Sequence, residues 1–326
     1  MATAARGLVG DVGGTHARFA IATVDGRRVR VSQTRVLEAA RYASGAAALR
    51  TYLDGVSGER PALAVIAAAG PIVDGAVTFT NNKRWRFSER ELARTGGFAQ
   101  ARLINDFTAQ ALALPLLRPA DTRLVGPRRR ALVRGTKVIL GPGTGFGAAA
   151  LVDDGRARAV ATGEGGHSAF APENEIEIEI LKRLAARLGR VSVEHVLSGP
   201  GLLNLYRVLG EIEGRPTPIE TPDEVTRAAL AGSPLAKAAL GRFCALLGSA
   251  AGNFALALGA RGGVYVAGGI APDILEFLKA SPFRARFEAK DRMETYLKAI
   301  PTHVVVQPHA ALVGAAALLA PLAADA

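Results

Sequence analysis

The chain has 326 residues, 49% of them hydrophobic and 21% charged, with a formal net charge of +11 and a single cysteine. That length accommodates two domains with well-buried cores, and the lone Cys244 excludes a disulfide framework and a cysteine-based zinc site while suiting a reducing cytosol. No uncharged apolar run reaches the roughly 18–20 residues of a membrane span, and no apolar leader precedes Leu8, so a soluble cytoplasmic protein without a membrane partner is expected.

The positive charge raises the question of nucleic acid. Its densest cluster, Arg128-Arg129-Arg130 with Arg134 and Lys137 nearby, follows Gly126-Pro127 and reads as a solvated loop. None of the five tyrosines and no tryptophan is interleaved with those arginines as a stacking platform requires. The expectation is no nucleic-acid partner and a general attraction for anionic ligands such as nucleotides.

In chain order, Leu8-Val9 runs into Gly10-Asp11-Val12-Gly13-Gly14-Thr15-His16-Ala17-Arg18, and Phe19 to Ala22 runs out, which predicts strand, tight turn, strand. Val29 to Ser32 continues as a further strand after the turn at Asp25-Gly26, and Ala40 to Leu53 has helical composition. Ala62 to Ala69 is a continuous apolar run suited to a strand buried on both faces and ends at Gly70-Pro71. Val77 to Thr80 reads as a strand running into Asn81-Asn82. Ser88 and Glu91 are spaced as a capping box. Ala101 to Ile104 is a short strand, followed by Asn105-Asp106 and a helical run from Phe107 to Leu114.

A second cycle follows. Lys137 to Leu140 leads into Gly141-Pro142-Gly143-Thr144-Gly145-Phe146-Gly147, and Ala148 to Val152 leads out to Asp153-Asp154-Gly155. Both segments share a plan of apolar strand, Gly-and-Thr turn, apolar strand and Asp-Gly turn, which suggests two halves of similar topology. Downstream, Pro172 opens a helix through Leu188 with Ile176, Ile180, Leu184 and Leu188 on one stripe, acids at its start and bases at its end, as the helix dipole prefers. Leu230 to Leu258 is helical with a break near Gly232-Ser233-Pro234. Val264 to Ala267 is a strand ending at Gly268-Gly269, Pro272 to Lys279 a helix, Val304 to Val306 a last strand, and Ala310 to Ala320 a last helix stopped by Pro321.

Several stretches have both a structural and a chemical reading. The first glycine turn is either a simple hairpin or a concave site whose N–H groups, with the Thr15 hydroxyl, bind an anion. Asp11 would be repelled by bare phosphate and makes sense with Mg²⁺, or water bound to it, in between. The string Gly141 to Gly147 lacks the following helix and the well-spaced acid of a dinucleotide-binding turn, leaving a glycine hairpin able to donate N–H groups to phosphate. Asn105-Asp106 is either a helix cap or, for Asp106, a base at the carboxyl end of a strand that accepts a proton from an attacking alcohol. Glu164 with His167, and Glu194-His195, suit hydrogen bonding to several hydroxyl groups, while surface salt bridging stays open. The five histidines show no metal-binding H-E-x-x-H pattern.

Taken together, Gly10 to Thr15, Leu103 to Phe107, Gly141 to Gly147, Gly163-Glu164-Gly165-Gly166-His167, Val196 to Gly201 and Val266 to Ile270 resemble, in that order, the bacterial ATP-dependent glucokinase family of the hexokinase/actin-like superfamily. The resemblance covers nearly the whole chain. It implies an α/β fold of two ribonuclease-H-like domains with a cleft between them: a small domain of residues 1–110 plus 307–326, and a large domain of residues 111–306. It also implies a catalytic base at Asp106, which deprotonates the sugar 6-hydroxyl. Asn105, Asp106, Glu164, His167 and Glu194 match the glucose-binding positions. Gly10, Asp11, Val12, Gly13, Gly14 and Thr15 match one ATP-phosphate loop, Gly143, Thr144 and Gly145 the other, and Gly268 and Gly269 the adenosine motif. Mg²⁺, bridging the phosphates, would be held indirectly by Asp11 through water.

The same resemblance implies D-glucose and ATP as ligands, a homodimer and no structural zinc, the last separating this chain from the zinc-containing ROK sugar kinases. Two departures stand out: His16 where the family usually has Asn, and a segment Asn81 to Trp85 one residue longer than usual. A kinase for another hexose or amino sugar is the nearest alternative. A non-catalytic sugar-binding homologue is another, against which the retained Asp106 argues. A sugar-sensing regulator would need a DNA-binding module ahead of the first loop, where only seven residues precede Leu8.

Overall fold

The computed structural model describes residues 4–26, 28–79 and 85–324. The expected approach of a strand to Asn81-Asn82, and all of the lengthened segment but Trp85, lie outside them. By its contacts the chain divides into unit 1, Met1–Arg118 with Gln307–Ala326, and unit 2, Pro119–Val306.

Unit 1 opens with β1 (Ala5–Val12), β2 (His16–Asp25) and β3 (Arg28–Glu38), an antiparallel meander. Helix α1 (Gly45–Asp54) starts later than its composition suggests, because Ser44 caps it by accepting from the Ala47 N–H. Then come β4 (Leu63–Ala68), β5 (Ile72–Val73), β6 (Ala76–Thr78), β7 (Arg86–Ser88), α2 (Glu89–Gly96), β8 (Gln100–Asn105) and α3 (Asp106–Ala113). Ser88 caps α2 by accepting from the Glu91 N–H, which is the Ser88 half of the capping box that the spacing predicts. The main sheet runs β3-β2-β1-β4-β8, with β4 and β8 parallel to β1, and β5-β6-β7 form a small second sheet.

The apolar run of β4 is buried at every position because both faces of the sheet are covered. Ala64, Ile66 and Ala68 join a core with Leu49 and Tyr52 of α1, Leu92 of α2 and the fully buried Trp85 and Phe87. Leu63, Val65 and Ala67 point into a second core on the opposite face. Each such large side chain contributes about 1.5–3 kcal/mol when fully buried.

Unit 2 contains β9 (Thr122–Val125), β10 (Lys137–Pro142), β11 (Phe146–Asp153), β12 (Arg158–Gly163), α4 (Glu175–Leu188), α5 (Gly199–Ile212), α6 (Pro222–Leu230), α7 (Pro234–Leu258), β13 (Val264–Val266), α8 (Ile270–Asp273), α9 (Leu275–Ala280), α10 (Phe283–Glu288), α11 (Glu294–Lys298) and β14 (Thr302–Val305). Its sheet runs β12-β11-β10-β13-β14-β9, again two antiparallel pairings, then two parallel ones, with β9 added antiparallel at the edge. The duplication suggested by two glycine turns therefore extends to the whole strand order of both sheets. The α/β class is as expected.

Three further helix expectations change. Helix α4 starts at Glu175, not Pro172, because the Asn174 side chain accepts from the Glu177 N–H, and Leu188 at its end is exposed while Ile180 and Leu184 are buried. The run from Pro272 to Lys279 is broken into α8 and α9. Pro321 does not stop the last helix: the chain returns to unit 1 as α12 (Ala310–Ala316) and α13 (Leu319–Ala324), and Pro321 sits in the first turn of α13, where its missing N–H has no intrahelical partner to lose.

Helix α7 forms the centre of the unit 2 core, with Ile180, Leu202, Leu205, Phe283 and Phe287 among the residues packed around it. By length and composition it is able to cross a membrane, but 67% of its most apolar window is buried inside the protein, as for a core helix. Beside it lies an ion network. Glu177, fully buried, receives hydrogen bonds from Arg286 at 2.8 and 3.1 Å and from Arg242 at 2.9 Å, while Lys290 reaches Glu173 at 2.9 Å. Burial alone would raise the Glu177 carboxyl, but the bonds from Arg286, the Glu173 N–H and Arg242 outweigh it and bring it down to about 2.

Candidate active site

In unit 1 the turn Gly13-Gly14-Thr15 joins β1 to β2. The Gly13 N–H donates to the His16 carbonyl at 2.9 Å, and the Thr15 carbonyl accepts from the Ala39 N–H at 2.8 Å. The Gly13 N–H therefore closes the turn, a use the reading of successive open donors did not foresee. A Cβ on Gly13 would meet nothing nearer than 3.9 Å, so the turn's outer side is open, and Thr15 is exposed on it. Gly10 and Val12 are buried: a Cβ on Gly10 would lie 2.6 Å from Ile66, and the Val12 side chain is in the core. These two serve packing with their side-chain positions and offer only backbone to a ligand.

Asp11 lies directly across from Arg18 in the β1–β2 register, and Arg18 Nη1 donates to its Oδ2 at 3.2 Å. Burial pushes the Asp11 carboxyl up, against the pull of the Arg18 and His309 charges. No group of three or more metal-ligating side chains occurs among the described residues. That donor set fits a Mg²⁺ that arrives with nucleotide phosphates and keeps its waters, because such an ion needs only one or two protein carboxylates.

Asn105 ends β8 and caps α3. Its Oδ1 accepts from the N–H groups of Phe107 at 2.9 Å and Thr108 at 3.2 Å, and its Nδ2 donates to the Gly70 carbonyl at 3.3 Å. The structural reading of Asn105 is thus realised in full, and it leaves Asp106 half-buried as the first residue of the helix. Asp106 Oδ1 accepts from the Phe107 N–H at 3.0 Å, the environment that a helix N-terminus gives to an anion. Helix α3 is held from behind by α12, whose Gly314 packs so closely on the Ala109 carbonyl that a Cβ would have no room.

In unit 2 the turn Gly143-Thr144-Gly145 joins β10 to β11 and is closed by the Gly143 N–H donating to the Gly145 carbonyl at 2.8 Å. A Cβ on Gly143 meets nothing within 4 Å. Gly268 follows β13 with φ +85° and packs against the Pro142 carbonyl, so a side chain there would clash as well as be strained, whereas Gly269 has open space.

Glu164 and His167 bracket a single 3₁₀ turn, the His167 N–H donating to the Glu164 carbonyl at 3.0 Å, and both residues are exposed. Gly166 is buried against the Phe146 carbonyl, and its own carbonyl accepts from the Glu194 N–H at 2.9 Å. Glu194 Oε2 in turn accepts from the Phe146 N–H at 2.8 Å. Glu164, His167 and Glu194 are thereby brought to one end of β10 and β11, beside the second glycine turn. His195 is tied to its neighbours: its Nδ1 accepts from the Ser192 N–H at 3.1 Å, and its carbonyl accepts from the Asn204 side chain at 3.0 Å. Arg18 and Gly70, which pin Asp11 and Asn105, went unassigned from sequence, because their signal is a cross-strand or long-range partner. Ser198, which bonds the Glu194 carbonyl, lies in the motif Val196 to Gly201 but was given no role of its own.

The family model described as Glucokinase matches residues 8–322. A glucokinase of Caulobacter sp. (strain K31) is 52% identical over 97% of this chain and 95% of its own length. The crystal structure of a glucokinase from an Antarctic psychrotroph superposes with a TM-score of 0.86 at 37% identity, covering 96% of this chain and 98% of that one. A glucokinase from Balamuthia mandrillaris, in complex with glucose, shares the fold with a TM-score of 0.77 at 22% identity, over 98% of this chain and 94% of that one.

Proposed function

Because this chain belongs to the glucokinase family and is an ATP-dependent hexose kinase, we propose that it moves the γ-phosphate of ATP to the 6-hydroxyl of D-glucose, with Asp106 as the base. The single observation that carries the reading is the likeness to curated glucokinases along almost the entire chain. Asp106 takes the proton of the 6-hydroxyl as its oxygen bonds to the γ-phosphorus, and the bond to the β-phosphate oxygen breaks to release ADP and glucose 6-phosphate. Its place in the first turn of α3, where its Oδ1 accepts from the Phe107 N–H, supports this, since the positive end of the helix dipole favours a carboxylate there.

Glu164, His167 and Glu194 hold sugar hydroxyls, together with the remaining Nδ2 hydrogen of Asn105, which makes no bond among the described residues. The open glycine turns after β1 and β10 receive the phosphates, and Gly268-Gly269 borders the adenosine. Asp11 would hold Mg²⁺ through water, and Mg²⁺ supplies neutralisation of the phosphate charge when bound. Positioning by these groups accounts for most of the rate. A homodimer in the cytoplasm belongs to the same reading; it would run at twice the 33.8 kDa chain mass in size-exclusion chromatography with light scattering.

The decisive experiment is a coupled assay with glucose, mannose, fructose and N-acetylated sugars, using ATP or polyphosphate as donor. Glucose with ATP is expected to give the highest kcat/KM. A higher value for another sugar would reassign the substrate.

A further inference from the structure

One short stretch of unit 2 grips the second glycine turn at both ends. On the exit side the Glu194 carboxylate accepts from the Phe146 N–H at 2.8 Å. On the entry side the Gly199 N–H donates to the Gly143 carbonyl at 2.8 Å. Between them, buried Ser198 ties the stretch to itself, its Oγ donating to the Glu194 carbonyl at 2.8 Å and accepting from the Gly201 N–H at 3.0 Å.

Gly145 is shaped by the same contact. Its φ lies outside the left-handed region, so its backbone does not demand glycine. The nearest atoms to a Cβ there all belong to Glu194, with Oε2 at 2.5 Å. A side chain at 145 would displace that carboxylate, the end of a flexible side chain, and leave the turn in place. Gly143, two residues earlier, has open space at its Cβ position.

We propose that Glu194 is a positioning residue for the phosphate turn as well as a sugar ligand, so that sugar and nucleotide binding are coupled through the Glu194–Phe146 hydrogen bond. This rests on the reading of Glu194 as a sugar contact and of residues 143–145 as a phosphate site. A sugar hydroxyl on the carboxylate fixes its rotamer and thereby the Phe146 N–H at the end of the turn. The ordering cost then falls on the first ligand, and the second meets a turn already set. By linkage the effect is reciprocal.

Glucose binding is measured by calorimetry without nucleotide on the wild-type chain, Gly145→Ala and Gly143→Ala, with MgADP as the nucleotide probe in parallel. Gly145→Ala is expected to weaken glucose about tenfold, within the range usual for coupled sites. Gly143→Ala weakens MgADP and leaves the glucose Kd within about twofold, the size of an uncoupled surface change. Equal glucose affinity for Gly145→Ala and wild type, or equal loss in both variants, overturns the link. A thermal melt identifies a Gly145→Ala chain that has not folded. In that case the ratio of MgADP Kd without and with glucose decides: it falls toward one in Ser198→Ala if the link holds, and an unchanged ratio overturns it. A wild-type chain that binds no glucose takes down the assignment of the sugar site itself; one that binds glucose without coupling to MgADP takes down only the link.

Discussion

The two glycine hairpins occupy the same place in sheets of the same strand order, yet they carry different chemistry. In unit 1 the residue before the turn-flanking Val12 is Asp11, paired across the strands with Arg18. In unit 2 the residue before the turn-flanking Pro142 is Gly141, paired across with Gly147. A Cβ on Gly141 would run into the Ala267 carbonyl, so that position has no room for a carboxylate. The first turn is therefore flanked by a charged pair, whereas the second, Gly143-Thr144-Gly145, has no charged side chain of its own and is met by Glu194 from outside the hairpin. On the proposed reading of both turns as phosphate sites, one carboxylate to hold Mg²⁺ suffices, because a second would repel the phosphates.

The sharpest way to break this division is at Asp106, the acid that opens α3 in unit 1. Asp106→Asn keeps the shape and the helix start but removes the base. The expected result is a kcat lower by about 10³-fold, within the range for general base catalysis, with glucose affinity within a few-fold. A coupled assay and calorimetry check it; wild-type turnover would remove Asp106 from its role.

Next comes the asymmetry itself. Asp11→Asn is expected to lower kcat/KM for MgATP by roughly 10²-fold, the usual loss for one charge-stabilising group, without changing the melting temperature greatly. Gly141→Ala at the equivalent place does the opposite: it lowers stability by about 2–3 kcal/mol through a backbone clash, read from the denaturation midpoint. Similar kinetic losses without loss of stability in both variants would mean the hairpins share one chemistry after all.

Much of this was legible because it is local. Gly-rich turns between apolar strands, the Ser88 cap and the doubly buried β4 all carry their cause within a few residues of themselves. Glu177 shows where that stops. Sequence places it among acids at a helix start, where the dipole explains it, but its partners Arg242 and Arg286 come from α7 and α10, far along the chain. Glu194 is similar: a polar residue beside apolar ones suggests a sugar contact, while its bond to the Phe146 N–H depends on β11 arriving beside it. Pro172 was a plausible helix start, and Asn174 won because its side chain can accept from the third N–H of the helix.

Glu177 also ties the stability of unit 2 to pH. Its carboxyl is depressed from 4.5 to about 2, so the stability it lends unit 2 is complete above pH ~4.5 and is lost as pH falls toward 2. Glu177→Gln is expected to cost roughly 2–3 kcal/mol at neutral pH, because Arg242 and Arg286 are left facing a neutral amide, and to flatten the acid limb of the stability curve. Denaturant titrations from pH 7 to 3 measure both; a variant with the wild-type acid limb would show that other carboxylates govern it.

The smallest effect is expected at His16, where the family usually has Asn. The first turn is closed by the His16 carbonyl accepting from the Gly13 N–H, and its position in β2 is set by pairing with Glu38 across the sheet. Both are backbone relations that any residue in a strand provides, so the identity of the side chain does not shape the turn. His16→Asn should leave kcat/KM for MgATP within about twofold at neutral pH, the scale of a substitution that disturbs no packing or network. A change beyond tenfold would show that the imidazole itself touches the phosphates. The first turn would then hold a second titratable group beside Asp11, and the contrast with the uncharged turn of unit 2 would be wider than the Asp11–Arg18 pair alone makes it.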